Sequence, residues 1–345
     1  MLPPHYVRAH KRGEVAMNRS VNYAFFKDKF VPIEAANVNI KTHAFMYGTA
    51  IFEGIRGYWN PNKHEMYVFR LREHIGRMFD NMKLLYFESK YSQEEIFEII
   101  VDLLKKNLPK TDTYIRPCAY SSALTIGPGL MDNPSDLCIF TVPFGDYYTN
   151  AALKVQVSAW RRVEDNAIPS RGKIIGAYAN TALAKTDAVR AGFDECIMLT
   201  ESGHVAEGSA MNVFLVKGDK LITPAATDNI LEGITLGTVV EIAKEQFGLE
   251  TVSRSVDRSE LYLADELFFC GTGAQIVAIG EVDRRPIGNG KPGPITTKIR
   301  DTYIDICRGN IPQYFKWLTP VYGSTNGKQD GSFVNSMTAS ASVAG

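Results

Sequence analysis

Two apolar patterns follow one another along this chain, and their order constrains the fold more than any other feature. Residues 72–87 (REHIGRMFDNMKLLYF) place Ile75, Met78, Met82 and Leu85 at helical spacing. A second helix opens at Ser92, where Glu95 three residues on completes a capping box and Ile96, Ile99, Ile100 and Leu103 form the apolar side. Around this pair, 22–40, 113–120 and 137–143 read as period-two strands. A helix pair beside antiparallel strands is an α+β arrangement rather than a doubly wound sheet. After a connector at 144–152 the pattern changes. Short strands are expected at 153–160, 195–200, 212–216, 251–256 and 266–270, with helices at 180–191, 235–247 and 296–308. Strands of this kind, cut by turns, point to a compact, β-rich or barrel-like second unit. The reading is thus two domains, 1–143 with an irregular N-terminal arm and 153–322, followed by a polar tail, 323–345, expected to be disordered.

The 38 basic and 38 acidic side chains cancel, so the chain lacks the clustered basic excess that nucleic acid or an anionic membrane would select. Its longest apolar runs, such as 213–216 and 267–270, are too short to span a bilayer. The first residues lack the apolar middle of a secretory signal. Five scattered cysteines without a CxxC pair fit a reducing, cytoplasmic setting, and the six histidines show no ligand spacing, so no metal is expected. GNGKPG at 288–293 fits GxGxxG literally. It follows the polar run DRRPI and contains Pro292, so it reads as a turn rather than a dinucleotide site. Asn18-Arg19-Ser20 matches a glycosylation acceptor, which means nothing without a secretory signal.

Three stretches stand out. In HAFMYGTAIFEGIRGY (43–58), glycines interrupt an aromatic run, which suits either a pocket lined by Tyr47 and Phe52 or a glycine-kinked strand pair. In TYIRPCAY (113–120), alternation puts Tyr114 and Arg116 on one face, opposite Ile115. An arginine there calls for an anion, either a ligand's carboxylate or a structural ion pair. In IPSRGKIIGAYANTALAK (168–185), Lys173 sits between Gly172 and an apolar run just before a helix. A solvated lysine is one reading; the other is a desolvated amine able to form an imine.

Together with FRLREHIGR, VAEGSAMNVF, LEGIT, YLADELFFCGTG and GPIT, these stretches resemble, in order and spacing over about 21–318, the fold-type IV pyridoxal-phosphate enzymes, and most closely the branched-chain amino-acid aminotransferases. The resemblance implies a smaller, α/β sandwich-like N-terminal domain and a larger, β-barrel-like C-terminal one. It implies pyridoxal 5′-phosphate bound covalently at Lys173, which also moves the proton between Cα and the cofactor. Glu207 is then the partner of the pyridine nitrogen, Tyr178 the hydroxyl near the ring's phenolic oxygen, and Leu231 the packing residue on the ring face. Arg77, Thr272 and the amides of Ile234 and Thr235 hold the phosphate. Those two amides also open the helix read independently at 235–247, and a helix N-terminus is an anion site.

For the substrate, the resemblance implies Arg116 and Tyr114, with the turn at Thr272 and Gly273, as α-carboxylate binders. Phe52, Tyr47 and Phe144 form the apolar pocket, to which Gly54 leaves room, and a loop around Ile126 serves the neighbouring subunit of a homo-oligomer, at least a dimer. The implied reaction is ping-pong transfer of amino groups from leucine, isoleucine and valine to 2-oxoglutarate. Gly273, Met211 and Phe144 depart from the residues common in the family, as does ALTIGPG (123–129). An altered range, toward (R)-amines or D-amino acids, is therefore the alternative.

Overall fold

The computed structural model describes residues 22–323. The expected N-terminal arm before residue 22, the Asn18-Arg19-Ser20 match and the expected disordered tail beyond Gly323 lie outside the described residues.

The first layer opens with a hairpin, β1 (Tyr23–Phe26) and β2 (Lys29–Pro32), and a one-turn helix, α1 (His43–Tyr47). Then come β3 (Ala50–Phe52), β4 (Ile55–Asn60), β5 (Glu65–Phe69), α2 (Leu71–Leu84), α3 (Gln93–Asn107), β6 (Thr113–Ser121) and β7 (Ser135–Pro143). The strands pair antiparallel in the order β5-β4-β6-β7-β1-β2, with β3 also on β6. The helix starts where the sequence places it: Ser92 Oγ accepts from the Glu95 amide at 3.2 Å, and the Glu95 carboxylate accepts from the Ser92 amide at 2.7 Å. Ile75, Met78 and Met82 of α2 and Ile96, Ile100 and Leu103 of α3 share one core with Ile55, Val68, Ile115 and Ile139 of the sheet, while Leu85 and Ile99 sit at its margin.

Period two makes the helix-covered face of β6 apolar and turns Tyr114 and Arg116 the other way. Pro117 interrupts this central strand without harm. It has no amide hydrogen to donate, but it faces the gap where β3 has ended and β4 has yet to begin, and its carbonyl accepts from the Glu53 amide at 2.9 Å.

No strand or helix lies between Pro143 and Ala152. The second layer contains β8 (Ala152–Arg161), α4 (Tyr178–Arg190), β9 (Glu195–Leu199), β10 (Val205–Gly208), β11 (Asn212–Lys217), β12 (Lys220–Thr223), α5 (Ile234–Phe247), β13 (Glu250–Ser253), α6 (Arg258–Leu263), β14 (Glu266–Gly271), β15 (Gln275–Val282), β16 (Arg285–Pro286) and α7 (Pro294–Cys307). The order is β10-β9-β8-β15-β14-β11-β12-β13, with β16 on β15. One face of this mixed sheet encloses an apolar core that includes Val155, Ile197, Val213, Leu267 and Ile279. The other packs Phe214, Phe268 and Cys270 on α5 and α7, and Cys196 and Met198 on α4. β10 and β11 stand at opposite ends of the path β10-β9-β8-β15-β14-β11, yet a turn closed by the Gly208 amide on the Met211 carbonyl at 2.8 Å joins them, so the sheet curls, the barrel-like character the sequence suggests.

Three features correct or extend the sequence reading. β15, a central strand paired with both β8 and β14, falls in GTGAQIVAIGEV, whose glycines and unbroken apolar run hide a buried strand from a search for alternation. The last strand, β17 (Leu318–Pro320), returns to pair with β5, so a segment assigned to the second domain completes the first sheet. GNGKPG is a turn, as expected: Gly288 and Gly290 have positive φ, and Gly293 is the N-cap of α7.

Candidate active site

A cavity of about 420 Å³ lies between the two layers. Its size suits a cofactor together with a small ligand. It brings together fourteen of the residues singled out by the sequence: Phe52, Gly54, Arg77, Tyr114, Arg116 and Phe144 with Lys173, Tyr178, Glu207, Leu231, Ile234, Thr235, Thr272 and Gly273.

Lys173 is held by its main chain. Its amide donates to Asn81 Oδ1 at 2.8 Å, and its carbonyl accepts from the Phe52 amide at 3.2 Å, so the second layer's lysine is tied to two elements of the first. Gly172 permits this approach, because a Cβ there would lie 2.7 Å from a Leu84 methyl. After a single 3-10 turn, Ile175–Ala177, the chain enters α4, and that turn brings Tyr178 back to Lys173: Nζ donates to the phenol oxygen at 2.9 Å.

Glu207, at the end of β10, is buried and its carboxylate accepts three bonds: from Arg162 Nε at 3.0 Å, from Asn212 Nδ2 at 3.1 Å and from the Leu231 amide at 3.1 Å. Burial raises its pKa above the usual carboxylate range, against the opposing pull of Arg162, the Leu231 amide and Lys173. The result is a carboxylate of raised proton affinity, suited to share a proton with a basic nitrogen. Asn212 also donates to the Leu231 carbonyl at 2.8 Å, which fixes the segment leading into α5.

One end of the cavity is built for an anion. α5 begins at Ile234 after the N-cap Gly233, so the Ile234 and Thr235 amides are helix-initiating donors with no carbonyl of their own helix to bond. Gly233 must lack a side chain here, since a Cβ would stand 2.2 Å from Asn212 Oδ1. Arg77 of α2 reaches the same place, donating from Nη1 to the Glu232 carbonyl at 3.1 Å.

Tyr114 and Arg116 line the same cavity. Arg116 Nη2 donates to the Tyr114 hydroxyl at 2.9 Å, its guanidinium lies 4.1 Å from the Phe52 ring centre, and its buried Nε has no partner among the described residues. Donor capacity is therefore left for an anion. Gly54 plays a different part from the one expected. The space beside it is filled by Tyr114, whose hydroxyl would be 2.1 Å from a Cβ at residue 54, so the glycine makes room for a protein ring. Arg56 is buried and donates to the carbonyls of Phe144, Gly145 and Gly273 at 3.1, 3.0 and 3.0 Å, binding the interdomain connector to the 272–274 turn.

Tyr47 is the exception among the residues singled out. It stands at the outer end of α1, where Gly48 turns the chain with a positive φ, and its hydroxyl accepts from the Gly127 amide at 3.0 Å, away from this cavity. Glu53, Arg56, His74, Arg162 and Asn212 escaped the sequence reading. For Glu53 and Arg56 a signal existed, since both are charged residues inside the apolar stretch AIFEGIRGY. Arg162 had none, as it finds Glu207 only across 45 positions.

Among the described residues no group of His, Cys, Asp and Glu could hold a metal, all five cysteines are unpaired, and no helix is long and apolar enough to cross a membrane.

Residues 50–282 match the family described as Amino-transferase class IV. The chain is 46% identical to the probable branched-chain-amino-acid aminotransferase of Aquifex aeolicus, over 88% of this chain and 98% of that one. Its fold superposes on the crystal structure of the branched-chain aminotransferase from Thermoproteus uzoniensis with norvaline at a TM-score of 0.84, with 39% identity, covering 88% of this chain and 100% of that one. The PLP form of the branched-chain amino acid aminotransferase from Thermobaculum terrenum gives a TM-score of 0.84 at 38% identity, covering 88% and 99% of the two chains.

Proposed function

The chain belongs to the class IV amino-transferases, and we propose that it transfers the amino group of leucine, isoleucine and valine to 2-oxoglutarate with pyridoxal 5′-phosphate as cofactor, giving a branched-chain 2-oxo acid and L-glutamate. The observation that carries this reading is one cavity in which a lysine amine and a buried carboxylate meet between a helix N-terminus and an arginine.

The residues present fit this cofactor. A phosphate dianion needs several N–H donors and finds them in the first amides of α5 and in Arg77, with Thr272 lining the same cavity. A pyridine nitrogen needs a partner that will share its proton, and Glu207, with its raised pKa, is that partner. Leu231 offers an apolar surface to the ring face. When bound, the cofactor supplies an aldehyde that takes up the amino group and a ring that withdraws electrons from the substrate's Cα.

The chain's own residues do the rest. Lys173 is the base that removes the Cα proton, and Tyr178 holds its amine in place. Arg116 and Tyr114 bind the α-carboxylate together with the turn at Thr272 and Gly273, while Phe52 and Phe144 enclose the side chain. An (R)-amine would leave the Arg116 guanidinium without a carboxylate, so the amino-acid reading is the one adopted. Phe45, Met46, Ile126 and Met131 are exposed around α1 and the 124–131 loop, and they support a homo-oligomer, at least a dimer, that covers them. Five unpaired cysteines support a cytoplasmic setting.

The decisive test is the absorption spectrum of purified protein, before and after L-leucine and then 2-oxoglutarate. A visible band that moves to the ultraviolet with leucine and returns with 2-oxoglutarate supports both halves of the reaction. A protein that gains no band after incubation with pyridoxal phosphate overturns the reading.

A further inference from the structure

Glu53 sits in the break between β3 and β4, fully buried, with its amide anchored on the Pro117 carbonyl. Its carboxylate meets Arg77 fork to fork: Nε donates to Oε1 at 2.8 Å and Nη2 to Oε2 at 2.7 Å. His74, three residues before Arg77 on α2 and itself buried, bonds Oε2 through Nδ1 at 2.8 Å. Arg77 Nη1 bonds the Glu232 carbonyl. Of the five guanidinium N–H groups, three are thus committed to fixed acceptors, and one on each terminal nitrogen remains. Arg77 lines the anion end of the cavity, so those two remaining hydrogens are the ones available to a ligand there.

The arrangement has an electrostatic cost. The Glu53 charge cancels much of the Arg77 charge felt by an anion. Burial alone would raise the Glu53 pKa, but the Arg77 charge and the hydrogen bonds from His74 and Arg77 outweigh it and bring it down to about 2, so the carboxylate is ionised whenever the protein is folded near neutrality. A site that merely attracted phosphate would do better without this carboxylate. Resting on the functional reading above, we propose that Glu53, steadied by His74, is a positioning residue for the cofactor's phosphate: it gives up attraction in order to fix the direction of the two free Arg77 hydrogens.

Positioning and charge predict opposite signs. Replacing Glu53 by Gln leaves the Arg77 charge uncompensated but loosens its fork. The experiment titrates cofactor-resolved wild type and Glu53→Gln with pyridoxal phosphate and with pyridoxal, which lacks the phosphate, following the absorption of the bound ligand. Expected is a loss of about tenfold to a hundredfold in pyridoxal-phosphate affinity, the range of a hydrogen bond to a charged group, with pyridoxal affinity unchanged. Tighter binding of pyridoxal phosphate would overturn the proposal in favour of simple charge. Equal losses for both ligands would overturn it in favour of a purely structural ion pair. Wild type that takes up neither ligand overturns the functional reading itself, and this proposal with it. If Glu53→Gln does not fold, His74→Asn, which keeps a donor near Glu53, and His74→Leu, which does not, carry the test. Pyridoxal-phosphate affinity should fall for Leu and hold for Asn, and the same loss in both overturns the proposal.

Discussion

The Nζ of Lys173 lies 2.9 Å from the hydroxyl of Tyr178, five residues further along the same chain. The contact is local in sequence yet depends on long-range anchors, because Asn81 and Phe52 fix the lysine's main chain while α4 fixes the tyrosine. In the proposed reaction the amine moves a proton at Cα, so Lys173→Ala should lower kcat by about 10⁴-fold, the upper range for a positioned acid–base group. Tyr178→Phe keeps the ring and loses the bond, and a fall of about tenfold in kcat is expected. Steady-state rates with leucine and 2-oxoglutarate decide both.

Glu207→Gln preserves volume and some of the bonds but cannot carry charge to hold a proton on the ring nitrogen. We expect pyridoxal phosphate to bind and kcat to fall by about a hundredfold. A variant with wild-type turnover would refute the assignment of Glu207 to that nitrogen.

Gly54→Ala tests the link from glycine to tyrosine to arginine. The new Cβ would fall 2.1 Å from the Tyr114 hydroxyl, which must then leave Arg116 Nη2. The KM for leucine should rise by about tenfold or more, with cofactor affinity unchanged. Arg116→Gln should show the same pattern more strongly. A rise in the cofactor's dissociation constant instead would refute the assignment of Tyr114 and Arg116 to the substrate.

Acid should destabilise the protein through two buried groups. Burial pushes the His74 pKa down, against the hydrogen bond and charge of Glu53, so the folded ring stays neutral where the unfolded one, near 6.5, takes a proton. Its contribution is present above the unfolded pKa and is lost as pH falls below it. Glu53 follows at lower pH: its folded pKa of about 2 lies below its ordinary 4.5, so its contribution is complete above 4.5 and is lost as pH falls toward 2. That difference corresponds to about 3 kcal/mol. Melting temperatures measured below pH 4.5 should fall more steeply for wild type than for Glu53→Gln, and equal slopes there would contradict the Glu53 contribution.

Much of this molecule is written locally. The Ser92–Glu95 box starts α3, and the alternation at 113–120 orients Tyr114 and Arg116. The glycine before Ile234 marks the start of α5, and with it the anion end of the cavity. Each depends on hydrogen bonds or periodicity spanning a few residues, so a reading of short windows reaches it. Thirteen residues drawn from ordered motifs lie around one cavity for the same reason, each motif carrying its own turn, strand or helix end, and Phe144 of the connector joins them.

Short windows along the chain thus carry many of the helices and strands, the α+β class and the residue types available for chemistry, but not the central strand β15. Tertiary structure alone decided which charges meet. Arg162 joins Glu207 across 45 positions, Arg56 reaches the Gly273 carbonyl across 217, and β17 returns to β5 from the far end of the described chain. It also decided that Tyr47 stays outside the cavity and that Gly54 shelters a tyrosine ring. A buried charge must find its partner wherever the fold brings one, and burial is a property of the packed layers rather than of any window along the chain.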